Sequence, residues 1–303
     1  MPTLDGILTA ELTLESPSVS TEEDQNEAAP IPEIPIRMEH DGPIEALDRL
    51  RASLLFAQIS RISYMRPEAV DVYIPRLGLR LENFADREGA QAYIFGSDTD
   101  VVIACRGTEP NDWNDVKADV NALMVLAETA GRVHRGFKQE VDDLWPELEK
   151  VIASDPRTLW FTGHSLGGAM ATISAGRCFL AHIPATPKAV YTYGSPRVGT
   201  KRYINTVAVD LTRWVNNNDI VARVPPTWMG YQHTGVHQYI NTYGKVRKMT
   251  KRQRLKDRWR GFALGLKEGK VDPFSDHAIA DYVEHIGNAV DEADGNTGRH
   301  RAV

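Results

Sequence analysis

The chain has 303 residues, with 35 Lys and Arg against 41 Asp and Glu, a formal net charge of −6 and 42% hydrophobic residues. That is ordinary globular composition with enough length for one large core, and the acidic balance argues against a nucleic-acid partner. No apolar run approaches the roughly 18 residues of a membrane span, and no Cys or His spacing suggests a zinc site.

The amino-terminal segment MPTLDGILTAELTLESPSVS is acidic and lacks the basic start and apolar core of a secretory signal. Cys105 and Cys178, each inside an apolar stretch, read as buried free thiols. Together these lead us to expect a cytoplasmic protein, with secretion left open. Over residues 1–43 ten acidic side chains face only Arg37, with Pro30, Pro32 and Pro35 in close succession. Such a segment buries too little apolar surface to offset its ordering entropy, so a mobile acidic tail is expected.

From about Ile44 the pattern changes. Leu47, Leu50, Leu54 and Ala57 recur at helical spacing up to about Tyr64. Strands are expected at 90–95 and 100–106, then a polar-to-apolar segment at 109–132 and a helix at 137–155. The strand TLWFTG (158–163) feeds a helix at 167–181, and further strands follow at 189–194, at 212–217 and in HTGVHQYI. Alternating strands and helices predict an α/β fold with a mostly parallel central sheet and helices on both faces. The folded body is expected over 44–288, with a polar tail at 289–303.

Gly163-His164-Ser165-Leu166-Gly167 leaves one of these strands and enters a helix. A serine at such a turn has strained backbone angles and projects its hydroxyl above the sheet edge, and glycines on either side let neighbouring backbone pass closely. The helix behind it aims its N–H groups at a developing anion. A serine hydroxyl becomes a useful nucleophile only if a histidine takes its proton and an acid orients that histidine. The expected acid is Asp219, just after a strand; Asp210 begins that strand and should lie at the far end. The expected base is His277, whereas His285 should face elsewhere and His233 and His237 read as structural. The oxyanion donors are expected from the amides of Leu166 and Thr108, the latter in Arg106-Gly107-Thr108 after an early strand. This chemistry calls for no metal and no organic cofactor.

The sequence resembles the class 3 lipase family, the group that includes the filamentous-fungal triglyceride lipases, within the α/β-hydrolases. The matching pieces are VVIACRGTEP, VHRGF, TGHSLGGAMA, YTYGSPRVG, NNNDIVARVPP, YQHTG and DHAIADYV, in the family's order over roughly residues 90–283. The resemblance implies a Ser165–His277–Asp219 triad, Thr108 and Leu166 as oxyanion donors, and an ester lipid as substrate. Asp119 matches a family aspartate that holds the oxyanion threonine; read alone, it is a solvated helix acid. A lipase is expected first, with a phospholipase, galactolipid acyl hydrolase or short-chain esterase as alternatives and a non-catalytic binding protein as the remote one. The chain departs from the secreted fungal members in its cysteine count, its acidic tail and a basic insertion between acid and histidine.

Two features bear on substrate. Val120, Leu123, Met124, Val125 and Leu126 form an apolar cluster where the family places its lid, read either as a lid with transient lipid contact or as an ordinary packed helix. The stretch 245–270 sets eleven cations against Asp257 and Glu268, with Leu255, Trp259, Phe262 and Leu266 on one helical stripe. Such a helix rests on anionic lipid or docks on the body by its apolar stripe; the docked arrangement is the expectation.

Overall fold

The computed structural model describes residues 31–107, 123–181, 183, 185–207, 209–267 and 275–300, with the backbone alone beyond Ala263 and beyond Gly295 in the two helices that end at Lys267 and His300. A compact unit begins at Ile34. The central sheet has seven strands in the order β1-β2-β3-β6-β7-β9-β11. These are β1 (Arg80–Arg87), β2 (Ala90–Gly96), β3 (Asp100–Cys105), β6 (Thr158–His164), β7 (Ala189–Tyr193), β9 (Leu211–Asn216) and β11 (Val236–Ile240). From β3 to β11 every pairing is parallel, and β2 and β1 add to the edge as antiparallel strands.

Side chains alternate between two cores, as the strand period of two requires. Ala92, Ile94, Val101, Ile103, Leu159 and Phe161 point to one face. They meet helices α3 (Arg135–Ile152) and α4 (Leu166–Leu180) there. Tyr93, Phe95, Val102, Trp160 and Tyr191 point to the other, against α1 (Arg49–Ile62) and α7 (Ile279–His300). Each fully buried large side chain of this kind contributes about 1.5–3 kcal/mol relative to exposure. The expected α/β architecture with helices on both faces is therefore what the chain adopts.

Several boundaries differ from expectation. Helix α1 starts at Arg49, because the Asp48 carboxylate caps it, accepting from the N–H groups of Leu50 (2.9 Å) and Arg51 (3.1 Å). The packed body begins before residue 44: Ile34, Ile36 and Met38 lie against the α1–α7 core, and the Arg37 N–H donates to Gln58 Oε1 at 2.6 Å. Alternating apolar residues outweigh the acidic composition there. At the other end α7 runs on through most of 289–303 as far as His300. Val283, Ile286 and Val290 keep one face in the core, and Arg37 pairs with Asp291 at 2.6 Å.

A second sheet, not expected from the sequence, has the order β10-β8-β5-β4. Its strands are β4 (Met124–Leu126), β5 (Arg132–His134), β8 (Gly199–Thr200) and β10 (Tyr231–Gln232). Runs of two or three residues carry too little periodicity to be seen in one sequence. The remaining helices are α2 (Pro67–Tyr73), α5 (Lys201–Thr206) and α6 (Lys251–Lys267). Among the described residues no helix is long and apolar enough to cross a membrane.

Candidate active site

Ser165 sits between β6 and α4 with φ 59° and ψ −131°. Among the described non-glycine residues only Glu88 shares a positive φ. A serine held there is strained by roughly 1–3 kcal/mol and persists because its surroundings fix it. The Ser165 N–H donates to the Tyr193 carbonyl at 2.9 Å, tying the turn to β7. A Cβ on Gly163 would lie 2.7 Å from the Gly168 nitrogen, and one on Gly167 would strike the end of β3 around Cys105. The turn closes only because both positions lack one.

Asp219 follows β9, and His277 ends a short 3-10 turn, Ser275–His277, just ahead of α7. The two meet: His277 Nδ1 lies 2.9 Å from Asp219 Oδ2, and both side chains are buried. With Nδ1–H donating to the carboxylate, the neutral imidazole keeps its acceptor at Nε2. Asp219 Oδ1 accepts from the Val221 N–H at 2.9 Å, and the Tyr282 hydroxyl donates to Oδ2 at 2.6 Å. Tyr282 in turn accepts from the Asn216 N–H at 2.9 Å. Burial first, and the adjoining Asp219 second, push the Tyr282 phenol well above its ordinary range, so it stays a donor.

The loops carrying Asp219 and His277 are clamped together by a second set of bonds. The Asn218 N–H donates to Asp276 Oδ2 at 3.0 Å, and Asn216 Nδ2 donates to the Asp276 carbonyl at 3.1 Å. Gly194, at φ 59°, lies beneath the pair: a Cβ there would be 2.6 Å from Asp219 Oδ2 and 2.8 Å from His277 Nδ1.

His164 holds His277 from below. Its Nε2 is 2.7 Å from the His277 carbonyl, which only accepts, so Nε2 carries the proton and the Tyr64 hydroxyl donates to Nδ1 at 2.9 Å. Burial, with the neighbouring His277 as a smaller cause, lowers the His164 pKa well below the usual histidine value. His164 is therefore a neutral strut that positions the backbone of His277. Tyr64, Gly194, Asp276 and Tyr282 were not singled out from sequence; YGSP and DHAIADYV carry three of them inside motifs, but nothing in one chain assigns them a partner.

The Ser165 hydroxyl is buried and makes no hydrogen bond among the described residues. The Leu166 amide lies in the first turn of α4, where helix N–H groups have no carbonyl four residues back. Thr108 lies outside the described residues, as do Asp119 and Val120. The residue before Thr108 is in place: a Cβ on Gly107 would be 3.2 Å from Ser165 Cβ, so the segment leaving β3 passes directly over the serine turn.

Within the expected lid cluster, Met124, Val125 and Leu126 form β4, paired with His134, Val133 and Arg132 of β5, rather than a helix. Val125 turns toward the core while Leu126, like Leu123 before the strand, is exposed. Ladder bonds to a neighbouring strand, which composition does not reveal, decide this.

The rejected candidates lie elsewhere. Asp210 sits at the start of β9 and pairs with Arg49 at 3.3 Å. His285 faces the turn at Gly244, and His233 Nε2 donates to the Ala222 carbonyl at 2.7 Å, bracing the loop after Asp219. Cys105 and Cys178 are free and buried.

Residues 102–229 match the family model of lipase (class 3). A lipase of Rhizopus niveus is 30% identical over 164 residues, which is 50% of this chain and 41% of that protein. The toxin TseL of Vibrio cholerae is 29% identical over 186 residues, 48% of this chain and 29% of its own. The chain thus spans less than half the length of these curated relatives. Among solved structures, lipase II from Rhizopus niveus superposes with a TM-score of 0.54 at 25% identity, covering 63% of this chain and 80% of that one. By fold and by the match over residues 102–229, the chain is similar to the class 3 lipases, which are α/β-hydrolases.

Proposed function

We propose that the chain is a serine carboxylic-ester hydrolase acting on acylglycerol-type ester lipids, with Ser165 as nucleophile, His277 as general base and Asp219 as the acid that orients it. The observation that carries this reading is the buried 2.9 Å contact between His277 and Asp219 beside a serine held at positive φ. In the proposed reaction His277 Nε2 takes the Ser165 proton as the oxygen attacks the ester carbonyl, and the oxyanion collects at the amides of Leu166 and Thr108. His277 then protonates the leaving alcohol, and water releases the acid by the same steps in reverse. Asp119 is assigned the role of holding Thr108 in place. The two buried thiols favour a reducing, intracellular setting for this activity.

The test is ester hydrolysis against acyl length, from about C4 to C18, above and below substrate aggregation, with Ser165→Ala as blank. Loss of all activity in Ser165→Ala, with long chains preferred on aggregation, is the expected result. Turnover confined to dissolved short esters would make the chain an esterase. Hydrolysis that survives in Ser165→Ala would overturn the assignment.

A further inference from the structure

Helix α6 turns its polar face to the body. Asp257, only 2% exposed, accepts from the Tyr239 hydroxyl at 3.1 Å and the Thr242 N–H at 3.0 Å. Asn218 Nδ2 donates to the Arg258 carbonyl at 3.2 Å, and a Cβ on Gly261 would be 2.8 Å from that same nitrogen. The helix is therefore seated on the turn that leads into Asp219. Its apolar side chains point the other way: Leu255 is 55% exposed, Trp259 66% and Phe262 48%. At 100° per residue these three fall within an arc of about 60°. With Asn218, Arg223 and Arg258 they line an open groove of about 340 Å³.

Cations border this stripe. Lys251 flanks it on one side and Arg252 and Lys256 on the other, with Arg260 further round. All four are exposed and enter no ion pair among the described residues. A stripe of Trp, Phe and Leu fringed by exposed cations matches the boundary between acyl chains and anionic headgroups, where apolar side chains insert and cations meet phosphate. Charge complementarity selects the same occupant. The chain as a whole carries −6, whereas residues 245–270 hold eleven cations and two acids. An anionic surface repels most of the molecule and attracts this segment, which orients it on approach.

We propose that α6 is a docking surface for anionic phospholipid membranes, and that docking brings the edge of the site carrying Asp219 against the lipid. The purpose given to docking rests on the ester-lipid reading above; the docking itself does not, because it is scored without turnover. The experiment is co-sedimentation of the 303-residue Ser165→Ala chain with phosphatidylcholine vesicles, with and without about a third phosphatidylglycerol. Trp259 emission and its quenching by iodide are followed in parallel. Binding to the anionic vesicles only is expected, with a blue shift absent from Trp259→Phe and reversal in about 0.5 M NaCl.

The quadruple variant Lys251→Gln, Arg252→Gln, Lys256→Gln, Arg260→Gln should bind several hundred-fold more weakly, at roughly fivefold per cation. Trp259→Ser with Phe262→Ser should lose at least about tenfold. Unchanged thermal midpoints establish that these variants fold. Equal binding to neutral and anionic vesicles, or wild-type binding by the quadruple variant, would overturn the proposal. So would a Trp259 already shielded from iodide before vesicles are added, since another segment or a second copy would then occupy the stripe. Ester hydrolysis by the wild type without vesicle binding would sink the docking surface and leave the catalytic reading intact.

Discussion

Replacing Gly194 with alanine tests the site more sharply than removing a triad member, because it alters no proposed catalytic atom. The residue has φ 59°, which costs a residue with a Cβ about 1–2 kcal/mol. The added Cβ would stand 2.6 Å from Asp219 Oδ2, a shortfall of about 0.8 Å from the 3.4 Å at which ordinary contact begins. Such a clash is cheap only if a side chain can swing away. Asp219 is held by His277, by Tyr282 at 2.6 Å and by the Val221 N–H at 2.9 Å, so it has nowhere to go without breaking a bond. The Gly194 N–H donates to the Trp214 carbonyl at 3.1 Å, so the backbone is fixed as well. The acid–base pair must yield, by most of an ångström. Misplacement on that scale costs about 100-fold in rate. We therefore expect kcat on a dissolved short-chain ester to fall about 100-fold in Gly194→Ala, with KM moved far less. The thermal midpoint should drop by about 2–8 °C, at 2–4 °C per kcal/mol for a chain of this size. Stopped-assay kinetics beside far-UV circular dichroism read both quantities. A folded variant with kcat within about threefold of wild type would refute the argument that Gly194 makes room for the pair.

Two further outcomes follow from the same geometry. Tyr282→Phe removes one donor from Asp219 and strands the buried Asn216 N–H, so stability should fall by about 1–3 kcal/mol while kcat drops less than about tenfold. A larger kinetic than thermal effect would mean that Tyr282 matters through the chemistry instead. Stability should also fall as pH drops below about 6.5. Burial lowers the folded-state pKa of His164 and His233 well below the ordinary value and that of His237 to about 3. The unfolded chain takes up these protons first, so the native state loses up to about 1.4 kcal/mol per pH unit for each group between pH 6.5 and 5.5. Thermal midpoints over that range should show the slope, smaller by about one proton in His237→Gln. A flat profile would contradict the buried, neutral assignment.

Much of this protein was legible in its residues. The alternation along β2, β3 and β6 marks strands because each face of a covered sheet must bury its own side chains. The turn at Ser165 was readable because only glycine at Gly163 and Gly167 admits so close a passage of backbone. Serine, acid and histidine were expected in that order from the strand-to-helix turn and the residues that follow it, and the structure sets His277 Nδ1 2.9 Å from Asp219 Oδ2. Tertiary structure alone decided the rest. Tyr64 meets His164, and Gly194 and Tyr282 meet Asp219, through contacts between residues far apart in the chain, which local spacing does not encode. Met124–Leu126 became a strand because β5 offered it a ladder. Helix α6 shows the limit most plainly. Its periodicity reveals that an apolar stripe exists but not which way it faces. Asp257 finds donors in Tyr239 and Thr242, so the polar side is buried and Trp259 and Phe262 are left outside, the reverse of what amphipathic patterning predicts.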